Sequence, residues 1–120
     1  MTGPMPLAAG CEAPPSAVYD VALLDLDGVV YVGPDAVPGV PSALATARTG
    51  GMGLGFVTNN AARTPEEVAR HLTELGVPAA AGDVITSSQA AATVVAKRWG
   101  PGARVLPVGG PGGAAALRAA

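Results

Sequence analysis

The run Val21-Ala22-Leu23-Leu24-Asp25-Leu26-Asp27-Gly28-Val29-Val30 begins as a short apolar stretch and ends in two carboxylates two residues apart, with a glycine directly after. Apolar stretches of this length are what strands buried on both faces of a parallel sheet look like. Burying either charge inside the strand would be costly, so the two acids belong where the strand emerges. That is the carboxyl edge of the sheet, where open α/β folds place their ligands. Side chains at i and i+2 project to the same side of a strand, so Asp25 and Asp27 can converge on one cation or one reacting centre. Gly28 lets the backbone turn away sharply and leaves them exposed.

In isolation Asp-Leu-Asp-Gly also reads as an acidic turn at a strand end. A calcium loop of the D-x-D-x-D-G type is excluded, because Val29 stands at the third acidic position and Ala36 at the position of the coordinating glutamate. A second stretch, Gly53-Leu54-Gly55-Phe56-Val57-Thr58-Asn59-Asn60, repeats the pattern of an apolar strand that ends in small polar groups.

Asp25-x-Asp27-Gly28-Val29 followed by Phe56-Val57-Thr58-Asn59-Asn60 resembles the first two motifs of the haloacid dehalogenase-like phosphatases. Within them it resembles the NagD-type branch, which includes p-nitrophenyl, phosphoglycolate and glycerol-3-phosphate phosphatases. Asn59-Asn60-Ala61-Ala62-Arg63 to Leu75-Gly76, then Val84 to Gln89, is most similar to the actinobacterial glycerol-3-phosphate phosphatases of that branch. The resemblance runs from about Tyr19 to Leu117. It implies an α/β fold, a three-layer doubly wound parallel sheet with a Rossmann-like core, present in part, and the start of a cap domain. It implies magnesium-dependent hydrolysis of a small phosphate monoester, such as glycerol 3-phosphate or another sugar or polyol phosphate, through an aspartyl-phosphate.

In such proteins the first Asp attacks phosphorus, a role that falls on Asp25. The second, here Asp27, protonates the leaving group and then activates water. Mg²⁺ is held by the Asp25 carboxylate and the backbone carbonyl of Asp27. Thr58 would donate its hydroxyl to a phosphoryl oxygen, and the backbone N–H groups of Asn59 and Asn60, opening the next helical segment, would add to that cradle together with Gly28. The family pattern also includes a later lysine and a later acidic motif, and neither has a counterpart here. Lys97, the only lysine, lies late in a helix and does not match in order or setting. Losing one preorganised donor typically costs roughly a hundred- to a thousand-fold in rate, so the 120 residues alone are expected to be almost inert.

Composition narrows the partners. A formal charge of -2 without basic clusters argues against nucleic acid. No window reaches membrane-spanning length, and the start lacks the basic and apolar regions of a secretory signal. Residues 1–16, with Pro4, Pro6, Pro14 and Pro15, read as a disordered leader. The single cysteine, Cys11, lies in it, so a reducing cytoplasm is the simplest compartment. The expected domains are a core over 17–103 and the opening of a truncated α/β cap over 104–120, the sequence reading as cut off in its last helix. Oligomeric state is left open, with a homodimer as one outcome for a full-length protein.

Between the two motifs, Gly33-Pro34-Asp35 is turn chemistry and predicts a short hairpin, a flap that in the resembled family lies beside the phosphate. Pro41 suits a helix start, with Val40, Leu44 and Ala47 on its buried face. Thr64-Pro65-Glu66-Glu67 starts another helix, in which Val68, Leu72 and Leu75 form the stripe and His71 is a boundary residue. Asp83 to Ile85 predicts a third strand, Thr86 with Gln89 a capping box for a helix to Trp99, and Arg104 to Val108 a fourth strand weakened by Pro107. Gly110-Pro111-Gly112-Gly113-Ala114-Ala115 imitates a dinucleotide fingerprint, with a tight strand-to-helix turn as its ordinary meaning.

Two other readings compete. A receiver domain has this length and paired acids, but it needs an acceptor Asp where Asn59 and Asn60 stand and a lysine followed by proline. A non-catalytic remnant that binds a partner would show no turnover.

Overall fold

A computed structural model describes residues 10–120; residues 1–9 of the expected leader lie outside the described residues. In chain order the elements are α1 (Pro15–Val18), β1 (Val21–Asp25), β2 (Tyr31–Val32), β3 (Asp35–Ala36), α2 (Val40–Thr49), β4 (Gly53–Thr58), α3 (Pro65–Glu74), a 3-10 turn (Ala81–Asp83), β5 (Val84–Thr86), α4 (Ser87–Trp99) and α5 (Pro111–Ala119). The α1 turn begins within the last residues of the expected leader and buries none of its side chains.

β1, β4 and β5 form a parallel sheet in that order, in register from Val21↔Gly53 to Asp25↔Val57 and from Phe56↔Val84 to Thr58↔Thr86. The expected α/β architecture, a parallel sheet with flanking helices, is present. Ala22, Leu24, Leu54, Phe56 and Val84 alternate onto one face, where they meet Val40, Leu44 and Ala47 of α2 and Val68, Ala69 and Leu72 of α3. Phe56, Leu26, Leu72, Val30 and Val77 are fully buried there, each worth about 1.5–3 kcal/mol relative to exposure. The opposite face is bare. Leu23 (69% exposed), Val21 (59%), Ile85 (48%) and Val57 (38%) look outward, so among the described residues no second helical layer covers it.

The helix starts follow their sequence signals. Thr64 Oγ1 accepts from the Glu67 N–H (3.2 Å) at the head of α3. Thr86 and Gln89 close both bonds of a capping box at the head of α4 (3.1 and 2.8 Å). Two strand expectations need correcting. The third strand starts at Val84, because the Asp83 carboxylate turns back to accept from the Ala80 N–H (2.9 Å) and ends a 3-10 turn. Arg104 to Val108 forms no strand: Pro107 has no N–H to give, and Leu106 and Val108 stay in solvent. Residues 104–120, expected to open a second domain, lead into α5, which packs on α4 and against the loop after β4.

Candidate active site

The acidic pair sits where β1 runs out. Leu26, between the two acids, is fully buried, whereas Asp25 and Asp27 are both exposed. The Leu26 carbonyl then gathers the N–H groups of Val29, Val30 and Tyr31 (3.1, 2.9 and 3.2 Å), and the Gly28 N–H donates to the Tyr31 carbonyl (2.8 Å). This knot reverses the chain within one turn and needs Gly28 at φ +81, a left-handed conformation that side chains disfavour. Asp25 Oδ1 accepts from the Leu26 N–H (2.9 Å), which orients the carboxylate and leaves its other oxygen outside this bond. Gly28 therefore acts as the hinge of the loop, with its own N–H already engaged.

A cavity of about 440 Å³ opens beside this turn, lined by Asp27, Tyr31, Gly33, Pro34, Thr58, Asn59, Asn60, Arg63 and His71. Four of the six expected site residues line it; Asp25 and Gly28 lie at its edge in sequence and are not in its lining. The expected short hairpin is present (Tyr31↔Ala36, Val32↔Asp35) and forms one wall. Thr58 ends β4 and is buried; its Oγ1 accepts from the Asn60 N–H (3.1 Å), which leaves the hydroxyl proton to be donated. Asn60 Oδ1 in turn accepts from the Ala62 N–H (2.9 Å).

One expectation about this cradle is revised. Asn59 and Asn60 do not open a helix, since α3 begins only at Pro65, and the Asn60 N–H is already spent on Thr58. Three bonds from behind hold their loop: Ser87 Oγ to the Asn59 carbonyl (3.1 Å), Ser88 Oγ to the Ala61 carbonyl (2.8 Å), and the Gly112 N–H to the Ala62 carbonyl (2.9 Å). The last of these also settles the fingerprint-like glycines. The Gly112 N–H is engaged with Ala62, and the glycines serve close backbone approach rather than a dinucleotide phosphate.

Tyr31, Arg63 and His71 complete the lining without having been singled out for it. The Tyr31 and His71 rings meet edge to face, 5.0 Å between centroids, so the boundary residue of α3 has a partner that its sequence neighbours did not reveal. Burial pushes the Tyr31 phenol above its ordinary value of 10.0; Arg63 pulls it down, and Asp27 and Asp25 push it further up. The signal available for Arg63 was its place three residues after Asn60, on a loop leaving the carboxyl end of a strand.

The parallel sheet carries the paired acids at the end of its first strand and the Thr-Asn-Asn loop at the end of the next, and the chain belongs to the haloacid dehalogenase-like hydrolase family, whose sequence profile matches residues 22–120. This assignment removes the receiver-domain alternative. Among its relatives, the chain is 47% identical over 91 residues to the D-glycerol 3-phosphate phosphatase of Mycobacterium tuberculosis, a match covering 76% of this chain and 25% of that protein. It is 38% identical over 101 residues to an acid sugar phosphatase of Staphylococcus saprophyticus, covering 84% of this chain and 39% of the relative. The structure superposes on a crystal structure of the mycobacterial glycerol phosphate phosphatase in complex with magnesium at a TM-score of 0.81 and 43% identity, over 87% of this chain and 31% of that one. NagD-type proteins are among the structural neighbours, in line with the branch expected from the two motifs. The chain thus spans a quarter to two fifths of the length of these relatives.

Proposed function

We propose that this chain carries the nucleophile end of a phosphatase acting on a small phosphate monoester, with glycerol 3-phosphate or another sugar or polyol phosphate as the substrate class. The observation that carries the reading is the cavity in which Asp27, Thr58, Asn59 and Asn60 meet at the carboxyl ends of β1 and β4. The mycobacterial and staphylococcal relatives, named for glycerol and sugar phosphates, support the substrate class.

The free oxygen of Asp25 attacks phosphorus while the bond from phosphorus to the ester oxygen breaks, and a protonated Asp27 gives its proton to the departing alkoxide. Asp27, now a carboxylate, takes a proton from water, whose oxygen attacks phosphorus. The Asp25–phosphorus bond breaks, releasing inorganic phosphate and restoring the Asp25 carboxylate. Thr58 donates its hydroxyl proton to a phosphoryl oxygen, the Asn59 and Asn60 side chains orient the substrate, and Gly28 sets the turn that brings Asp27 to the cavity.

The donor set suits a hard divalent cation. Asp25 and Asp27 are exposed oxygen donors two residues apart, and no cluster of three or more His, Cys, Asp or Glu groups occurs among the described residues. Magnesium is commonly bound by one or two carboxylates, with water and substrate phosphate filling the remaining positions. The Asp25 carboxylate and the Asp27 backbone carbonyl would hold it, and it would supply positive charge against the phosphoryl oxygens.

The test is release of inorganic phosphate from a panel of glycerol, sugar and aryl monoesters by the protein expressed from its complete reading frame. We expect turnover that disappears on chelation and falls at least about a thousand-fold in Asp25→Asn, the scale on which losing a covalent-catalysis residue acts. A protein that hydrolyses no ester with magnesium present would instead be a non-catalytic remnant.

A further inference from the structure

A phosphate monoester brings between one and two negative charges into a site that already holds carboxylates. Thr58, Asn59 and Asn60 offer dipoles but no charge, and Lys97 lies in the last turn of α4, away from the cavity. Among the described lining residues one group is permanently cationic, Arg63.

Its backbone is clamped with unusual closeness. The Gly112 N–H bonds to the Ala62 carbonyl, and a Cβ built on Gly112 would stand 2.5 Å from the Arg63 carbonyl oxygen and 2.7 Å from that of Ala61. Ser88 Oγ anchors the Ala61 carbonyl, and Asn60 Oδ1 holds the Ala62 N–H. A loop tied this firmly gives Arg63, which lines the cavity, a fixed base. Its charge is felt across the cavity at the Tyr31 phenol, where it opposes the two aspartates. The remaining basic group of the lining, His71, has its ring engaged edge-on with Tyr31.

The geometry points to Arg63 as the residue that pairs with the phosphoryl oxygens of the substrate, its planar fork matching two oxygens at once. This rests on the phosphatase reading above and adds to it a cation that neither of the two recognised motifs contains. Arg63 is then a binding residue for the anion in both substrate and product, so its loss weakens inorganic phosphate as well as ester.

Inorganic phosphate is the probe, titrated by calorimetry in the presence of magnesium into the protein expressed from its complete reading frame, as wild type, Arg63→Gln, Arg63→Lys and His71→Gln. We expect Arg63→Gln to weaken phosphate roughly ten- to a hundred-fold, Arg63→Lys to recover part of that, and His71→Gln to change it by less than about three-fold. Circular dichroism melting checks that the variants remain folded, and Arg63 is exposed enough that they should. Phosphate binding by Arg63→Gln within two-fold of wild type overturns the Arg63 assignment while leaving the phosphatase reading intact. A wild type with neither phosphate affinity nor turnover overturns both.

Discussion

At Thr58 a single hydroxyl has two tasks. Its oxygen accepts from the Asn60 N–H at 3.1 Å at the wall of the cavity, and in the proposed function its proton goes to a phosphoryl oxygen, while the residue itself is 5% exposed. Thr58→Val keeps the shape and removes both bonds. Stability should fall by about 0.5–1.5 kcal/mol, and kcat/KM by about ten- to a hundred-fold, with Thr58→Ser close to wild type in both. Equal melting and equal kinetics for the Val and Ser variants would show the hydroxyl to be idle. Tyr31 tests the electrostatics of the same cavity. In a Tyr19→Phe background, absorbance at alkaline pH should show Tyr31 ionising above 10.0, and Arg63→Gln should move it higher still, since the guanidinium is what lowers it. The sign for stability follows: the folded state holds the phenol proton more tightly than the unfolded chain, so this contribution is complete below pH 10 and fades as pH climbs through the folded value. Asp25 and Thr58 were legible as candidates because they end β1 and β4, and Asp27, Asn59 and Asn60 because they follow directly, where apolar alternation stops and polarity has to be explained. Arg63, Tyr31 and His71 were not, because a flap, a loop and a helix face come together only in three dimensions.

Among the elements, helices with chemical punctuation were readable and the contacts between backbones were not. Thr64 caps α3 through the Glu67 N–H, and Thr64→Ala should cost about 1 kcal/mol in chemical denaturation, with an unchanged m-value. A stability change below a few tenths would mean that Pro65 and the buried stripe of Val68, Ala69 and Leu72 hold the helix without its cap. By contrast, Gly110 to Gly113 looked like a turn or a ligand loop from sequence alone. Its meaning lies in how closely it meets Ala61, Ala62 and Arg63. The φ of Gly112 is not in the left-handed region, so Gly112→Ala acts by overlap with carbonyl oxygens rather than by backbone strain. It should destabilise by about 1–3 kcal/mol and shift the amide resonances of Ala61 to Arg63, whereas Gly113→Ala, whose Cβ meets open space, should do neither. Arg104 to Val108 failed as a strand for a related reason. An apolar pattern announces that a segment would tolerate burial, but pairing requires a free edge beside it and an N–H at Pro107.

For the molecule as a whole, the two faces of the sheet set its behaviour. Both crossovers, β1 to β4 through α2 and β4 to β5 through α3, lay their helices on the face that holds Phe56 and Leu54, and the other face keeps Val21, Leu23, Val57 and Ile85 in water. The patch is continuous in register, since Leu23 pairs across Gly55 and Val57 stands between Asp25 and Ile85. Among the described residues it is also bordered by two unpaired strand edges, β1 and β5. An apolar surface flanked by open backbone donors and acceptors is what associating chains seek. The 120-residue chain should therefore sediment as concentration-dependent oligomers, and dilution should release monomer. Leu23→Lys places a charge at the centre of the bare face, at a residue that is 69% exposed and so contributes little packing. It should shift sedimentation towards monomer while changing unfolding free energy by less than about 1 kcal/mol. The same substitution on the covered face, at Leu54, would disrupt the core and cost several kcal/mol, which separates an effect on association from an effect on folding. If the wild-type chain sediments as a single monomer at every concentration, the bare face is not sticky. Its burial would then have to come from a rearrangement of α4 or α5 onto the strands, detectable as protection of the Val57 and Ile85 side chains from solvent paramagnetic probes.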